Sequence, residues 1–167
     1  IPGSCALITA LCASGLATDR FCFEGFLPSK SGTRLNALEL LKKETRTIGF
    51  YEAPHRIMKS LIDMQQVFGS TRKAVVAKEL TKSYERFFAG ELQQIIIELE
   101  QNPGVIRGEF VILIDGAEDL SVDDQELTNF MQLLNDEKLP TKQAANIAAK
   151  WFDCKKKQAY QIALSLN

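Results

Sequence analysis

The run Phe110-Val111-Ile112-Leu113-Ile114 constrains this chain more than any other stretch. Five consecutive apolar residues, preceded by Gly108-Glu109 and followed by Asp115-Gly116, read as a central strand. Such a strand is buried on both faces and needs helices to cover it. The rest of the chain supplies them. Strand-like runs at residues 21–24, 47–51, 74–77 and 86–89 alternate with helix-like segments. Residues 4–14 read as a small, apolar helix stopped by Gly15. Leu35, Leu38 and Leu41 mark a second helix, which Ser31 or Thr33 would cap. Ile57, Leu61, Met64 and Phe68 mark a third, with Pro54 in its first turn and Gly69 at its end. Residues 91–101 form a fourth, with Leu92, Ile95, Ile96 and Leu99 inside.

This alternation predicts an α/β architecture, a sheet flanked by helices. The runs at 74–77 and 86–89 are too close for a crossover helix and predict a hairpin. The sheet is therefore expected to be mixed rather than wholly parallel. Beyond Gly116 the pattern changes. Ser121-Val122-Asp123-Asp124 resembles a capping box, with Asp in place of the usual Glu or Gln. Leu127, Phe130, Met131 and Leu134 follow at helical spacing. Thr141 is placed to cap a helix carrying Ala144, Ala145, Ala148 and Trp151, and Asp153 one carrying Ala159, Ile162 and Ala163. Two helices so close together suggest a helix-turn-helix. The expected division is an α/β domain over residues 1–117 and a small helical unit over 118–167.

Composition excludes several classes. Apolar content of 46% and charged content of 25% are ordinary for a globular protein. No apolar run is long enough to span a bilayer as a helix. The start, Ile1-Pro2-Gly3-Ser4, has no basic n-region, so the apolar stretch after it makes a poor signal peptide, and a start cut from a longer chain is expected. Cys5, Cys12, Cys22 and Cys154 form no C-x-x-C pair, and the single His55 is far from them in sequence, so no metal site is expected. The cysteines fit a reduced, cytoplasmic protein. The net charge of −1 hides an uneven distribution: six lysines stand against one acid from Lys138 onward. That basic tail fits either nucleic acid or a solvated helical face.

Three polar clusters follow strand-like runs, where ligands of α/β sheets gather. The first is Leu27-Pro28-Ser29-Lys30-Ser31-Gly32-Thr33-Arg34, in which Lys30 and Arg34 are candidates for phosphate. They also fit an exposed loop with an arginine at a helix start. The second carries Glu52, His55 and Arg56. His55 fits a proton relay or a backbone contact, and Arg56 fits substrate or a pair with Glu52 or Glu79. The third carries Lys78, Glu79, Thr81 and Lys82, which fit a structural ion pair or contacts to a ribose. Gly108-Glu109 allows close backbone approach to a flat ligand, or a plain turn. No P-loop, no G-x-G-x-x-G and no G-x-S-x-G is present.

Taken in order, Phe23-Glu24-Gly25-Phe26-Leu27-Pro28-Ser29-Lys30, Phe50-Tyr51-Glu52-Ala53-Pro54-His55-Arg56, Glu79-Leu80-Thr81-Lys82-Ser83-Tyr84-Glu85 and Gly108-Glu109-Phe110-Val111 resemble the bacterial ribosomal RNA small-subunit methyltransferase I family, of the tetrapyrrole-methylase fold group. Pro2-Gly3-Ser4-Cys5-Ala6 resembles its interdomain turn, with Ser4 where the family often has Pro. Lys78 stands where it often has Arg. The family's Gly-rich, Pro-ended loop and Asp-Ala-Gly-type loop do not occur here, so the resemblance implies the second α/β domain of such an enzyme. It implies S-adenosylmethionine as cofactor, small-subunit ribosomal RNA as partner, a cytidine ribose 2′-oxygen as methyl acceptor, and a homodimer. The implied cofactor contacts are Ser4, Cys5, Ala6, Tyr51, Glu52, Glu79, Leu80, Gly108 and Glu109. Glu24, Lys30, Arg34, His55, Arg56 and Lys82 would face RNA. Lys78, Glu79 and Lys82 are the candidates for assisting proton removal. Two rivals stand beside this reading: a tetrapyrrole methylase of the same fold, and a non-catalytic nucleic-acid-binding module.

Overall fold

A computed structural model describes residues 1, 3–117, 124–154 and 156–165. The chain divides into two compact units, Ile1–Glu118 and Asp119–Asn167. The first holds α1 (Ala6–Ser14), β1 (Phe21–Phe26), α2 (Ser31–Leu40), β2 (Thr47–Glu52), α3 (Ile57–Phe68), β3 (Lys73–Lys78), β4 (Arg86–Glu91), α4 (Leu92–Gln101) and β5 (Phe110–Ile114). The strands form one five-stranded sheet in the order β1-β2-β5-β3-β4. Only β1 and β2 run parallel; the other three pairings are antiparallel. β3 and β4 form the expected hairpin, and β5 occupies the centre with all five residues buried.

Alternation along the strands sorts the core into two layers. Ile48 and Phe50, Ala74 and Val76, Phe88, and Phe110, Ile112 and Ile114 face α2, α3 and α4. Those helices answer with Leu38, with Ile57, Leu61 and Met64, and with Leu92, Ile95 and Leu99. Val75, Ala77, Val111 and Leu113 face the other way, where α1 supplies Leu7, Ala10 and Leu11. One face thus has three helices and the opposite face has one.

Gly49 is what lets α1 lie so close. A Cβ there would stand 2.4 Å from Leu7 Cδ1 and 3.4 Å from Leu113 Cδ2. A second local device reshapes β1. Its register with β2 shifts between Phe23 and Gly25, leaving Glu24 as the extra residue of a bulge, and Gly25 takes φ 68°. Three residues apart, Phe23 and Phe26 would lie on opposite faces of a regular strand. The bulge brings both rings onto Tyr51, with centroids at 4.8 and 5.8 Å.

The second unit holds α5 (Asp124–Asp136), α6 (Thr141–Trp151) and α7 (Lys156–Ser165). They share a small core of Leu127, Met131, Ala144, Ala145, Ala148, Ala159 and Ala163. Trp151 stays largely exposed and stacks on Phe130 at 6.0 Å. Most of the capping box expected at residues 121–124 lies outside the described residues. Two other expected caps are absent for visible reasons. Lys30, not Ser31 or Thr33, is the N-cap of α2, and the Ser31 hydroxyl donates to Asp63 instead. Pro140 precedes α6, so Thr141 is its first helical residue rather than its cap. Among the described residues no helix is long and apolar enough to cross a membrane.

Replacing Gly49 with alanine forces Leu7 off the sheet. The expected cost is about 1–3 kcal/mol, read as a lower urea midpoint with an unchanged slope. An unchanged midpoint would mean that α1 has room to withdraw.

Candidate functional site

At the sheet edge formed by the end of β2, the loop after β3 and the start of β5, one pocket opens. Its volume is about 430 Å³ and its lining includes Ala6, Phe26, Tyr51, Glu52, Leu80 and Glu109. Ala53, Pro54, Phe110 and Val111 complete the wall. Five separate stretches of sequence meet there, and five of the residues expected at a cofactor are among the lining: Ala6, Tyr51, Glu52, Leu80 and Glu109. Ser4 and Cys5 lie outside it, exposed, just before α1. The Cys5 thiol is lowered from its ordinary pKa, chiefly by the Ile8 N–H at the start of that helix. Tyr51 ties this helix to the pocket, since its hydroxyl accepts from the Leu7 N–H at 3.3 Å.

Glu79 and Gly108 also stay out of the pocket wall, and the structure shows what they do instead. The Glu79 N–H donates to the Glu109 carbonyl at 3.0 Å, and the Glu109 N–H donates to Glu79 Oε1 at 2.9 Å. Gly108 has φ 82°, and a Cβ on it would stand 2.2 Å from the Glu79 carboxyl carbon. Glu79 and Thr81 themselves sit at positive φ, 49° and 63°. Glycine at 108 and carboxylate at 79 therefore form one latch that fixes the pocket's lower edge.

The three residues expected as proton acceptors are all engaged in contacts of their own. Glu79 is held below its ordinary pKa by the Glu109 N–H and then by Lys82, which makes it a weaker base. Lys82 Nζ bridges Glu79 at 3.1 Å and Glu109 at 3.0 Å, and both raise its pKa, so it stays protonated at neutral pH. Lys78 is buried, and its Nζ donates to the Val105 carbonyl at 2.6 Å. All three side chains are spent on holding loops.

The residues expected to face RNA divide in two. Glu24, Lys30 and His55 are exposed. Arg34 and Arg56 turn inward. Arg34 is only 3% exposed, and its Nε and Nη2 lie 2.7 and 2.6 Å from Asp63 Oδ2. Its Nη1 donates to the Pro28 and Ser29 carbonyls at 3.2 and 3.1 Å. Arg56 Nη2 donates to the Leu27 carbonyl at 2.5 Å. Arg56 Nε is buried 3.3 Å from Glu52 Oε1, an ion-pair distance without hydrogen-bond direction. Glu52 is itself held, by Ser60 Oγ at 2.5 Å and by the Ala53 N–H at 2.9 Å. Two arginines, each backed by a buried carboxylate, thus grip three successive carbonyls of the 27–29 loop. Arg34 was expected at phosphate because helix spacing does not reveal a partner 29 residues away. Phe26 escaped notice for a different reason: its inclusion in the pocket depends on the bulge.

The sheet has known counterparts. The methyltransferase CobJ matches 70% of this chain and 49% of its own at 20% identity, with a TM-score of 0.51. The cobalt precorrin-4 methyltransferase CbiF matches 69% and 50% at 16% identity, with a TM-score of 0.52. These likenesses establish the sheet as the one found in tetrapyrrole methyltransferases. Sequence relatives are nearer. Ribosomal RNA small subunit methyltransferase I of Haemophilus influenzae is 42% identical over 99% of this chain. The proteins of the same name from Pseudomonas aeruginosa and Synechocystis are each 43% identical, over 98% and 100% of it. Along nearly its whole length the chain matches proteins of the ribosomal RNA small subunit methyltransferase I family. It spans about 59–60% of the length of these relatives. Residues 121–167 match a family model described as the RsmI C-terminal HTH domain. The latch and the two arginine clamps all hold loops that border one pocket.

Two outcomes check the site. Arg34→Ala leaves Asp63 buried without its partner and should cost about 3–5 kcal/mol in chemical denaturation; a cost below 1 kcal/mol would mean that water replaces the pair. The Glu79 carboxyl should titrate below the ordinary range by NMR, and Lys82→Ala should raise it only part-way, because the Glu109 N–H acts first. Its folded pKa is depressed, so the latch is fully held above the ordinary carboxylate value and loosens as pH falls through the lowered one. A return to an ordinary value in Lys82→Ala would contradict that order of causes.

Proposed function

We propose that this chain forms half of the cofactor and substrate cleft of an S-adenosylmethionine-dependent methyltransferase. In this reading the complete protein methylates the ribose 2′-oxygen of a cytidine in small-subunit ribosomal RNA, a substrate found in the cytoplasm. One observation carries the reading: Ala6, Tyr51, Glu52, Leu80 and Glu109 converge from four stretches on one pocket of about 430 Å³. That volume lies within the range of small-molecule and cofactor sites. Ala6, Leu80 and Val111 offer apolar walls for a flat ring, and the Glu79–Gly108 latch holds one rim still.

S-adenosylmethionine supplies an activated methyl group, so the protein's part is alignment and removal of one proton. Tyr51 fixes the start of α1 against the pocket through its hydroxyl. The engaged state of Lys78, Glu79 and Lys82 argues for a proton acceptor outside these three, water included. Lys30 and His55, exposed beside the pocket-bordering loops, are available to RNA. In the helical unit, Lys156, Lys157, Tyr160 and Gln161 are exposed on α7. That set suits contact with phosphate and unpaired bases, and the helix-turn-helix description of residues 121–167 favours the same use.

The test is methyl transfer by the complete protein in which this chain occurs. With methyl-labelled S-adenosylmethionine and small ribosomal subunits, label is expected on the 2′-oxygen of a single cytidine. Label on a tetrapyrrole and none on RNA would replace this reading with the tetrapyrrole one.

A further inference from the structure

One ring on the pocket's rim has no use in the site so far described. Phe26 lines the pocket and is 64% exposed, and Phe23 is 44% exposed, so the rim carries two open aromatic rings packed on Tyr51. The placement of Phe26 is specific. The Glu24–Gly25 bulge turns it to the face that carries Phe23, and Tyr51 packs between the two rings at interplanar angles of 64° and 61°.

The chain just beyond it is held equally firmly. Leu27, Pro28 and Ser29 each give their carbonyl to a clamped arginine. Lys30 then emerges exposed as the N-cap of α2. Phe26 and Lys30 are four positions apart, so their Cα atoms lie within about 14 Å of each other even along an extended chain. An aromatic face and a cation on one rigid support are what single-stranded nucleic acid needs: a surface for a base and a charge for the phosphate beside it.

We propose that Phe26 is the stacking platform for an unpaired nucleobase of the RNA substrate, with Lys30 meeting an adjacent phosphate. The inference rests on the RNA-methyltransferase reading above and specifies how that substrate is gripped. Charge decides between the two flat rings that such a pocket would meet. S-adenosylmethionine has no phosphate and bears a positive sulfonium, so a lysine beside its adenine has nothing to attract. A nucleotide of RNA offers both the ring and the anion. Arg34 and Arg56 are then positioning residues, because they act on the nucleotide only through the loop that they hold.

The experiment uses the complete protein with Phe26→Leu, Phe26→Tyr and Lys30→Ala, each checked for folding by circular dichroism. The probe is a short RNA carrying 2-aminopurine at the target nucleotide, and S-adenosylmethionine binding is measured separately by calorimetry. Phe26→Leu is expected to weaken RNA binding about tenfold and to abolish the quenching of 2-aminopurine by stacking. Phe26→Tyr is expected to stay within about twofold of the unaltered protein. Lys30→Ala should weaken RNA binding and flatten its salt dependence while keeping the quenching. Cofactor affinity should not move in any variant. If Phe26→Leu binds and quenches like the unaltered protein, the ring only packs and the proposal fails. Loss of cofactor affinity in Phe26→Leu would assign the ring to adenine and also overturn it. If the unaltered protein binds no RNA, this proposal and the function it rests on fall together. If it methylates RNA and Phe26→Leu is neutral, only the platform falls.

Discussion

One face of the sheet is covered by three helices and the other by α1 alone, and the functional features follow from that asymmetry. β5 must be buried on both sides, so α1 has to reach it. It does so through Leu7 and Leu11 over Val111 and Leu113, with the end of the Leu7 side chain in the space that a Cβ on residue 49 would take. α1 is too short to cover the whole face. What it leaves open, at the end of β2 and the start of β5, is the pocket. Ala6 belongs to both worlds: it is the first residue of α1 and part of the pocket wall. Tyr51 likewise packs into the α1 layer through its ring and holds the helix start through its hydroxyl. The helix that completes the core therefore also sets the pocket's shape.

Charge serves the same end. A charged side chain near a pocket is easily read as chemistry, yet most of those here hold backbone. Arg34, Arg56 and Lys78 donate to carbonyls of loops, and the Glu79 carboxylate accepts from a backbone N–H. Such charge-assisted bonds suit loops that have no ladder to hold them. A buried pair such as Arg34–Asp63 adds little net stability over an apolar replacement but loses several kcal/mol when halved. Its use is to fix a geometry. The rim loops are consequently rigid before any ligand arrives, which reduces the ordering cost of binding.

The fold was more legible in the sequence than the site was. The apolar run at 110–114 became β5 with the same bounds, and the short gap between 77 and 86 became the β3–β4 hairpin. These features depend on nearest neighbours and on the period of apolar residues. Site residues that line the pocket through backbone position, such as Tyr51 and Leu80, were also legible, because strand ends are where such pockets form. What escaped was every role set by a distant partner. Nothing near Arg34 announces Asp63, and nothing near Glu79 announces the Glu109 N–H 30 residues away. Phe26 is a third kind of case: a Gly two residues after Phe23 is the only local hint that the strand's alternation breaks there.

The same asymmetry separates what this fold holds constant from what it can vary. CobJ and CbiF share this fold at 20% and 16% identity, so the packed core survives extensive change of sequence and by itself specifies no ligand. The buried face has little freedom, because β5 and its three helices must pack densely. The rim has much more. A bulge in an edge strand reorients a ring without touching the core, and a loop gripped by its carbonyls tolerates almost any side chain at its tip. What the rim meets is therefore most economically altered at positions such as Phe26 and Lys30, which lie outside the packed layers yet stand on a support that the packed layers hold in place.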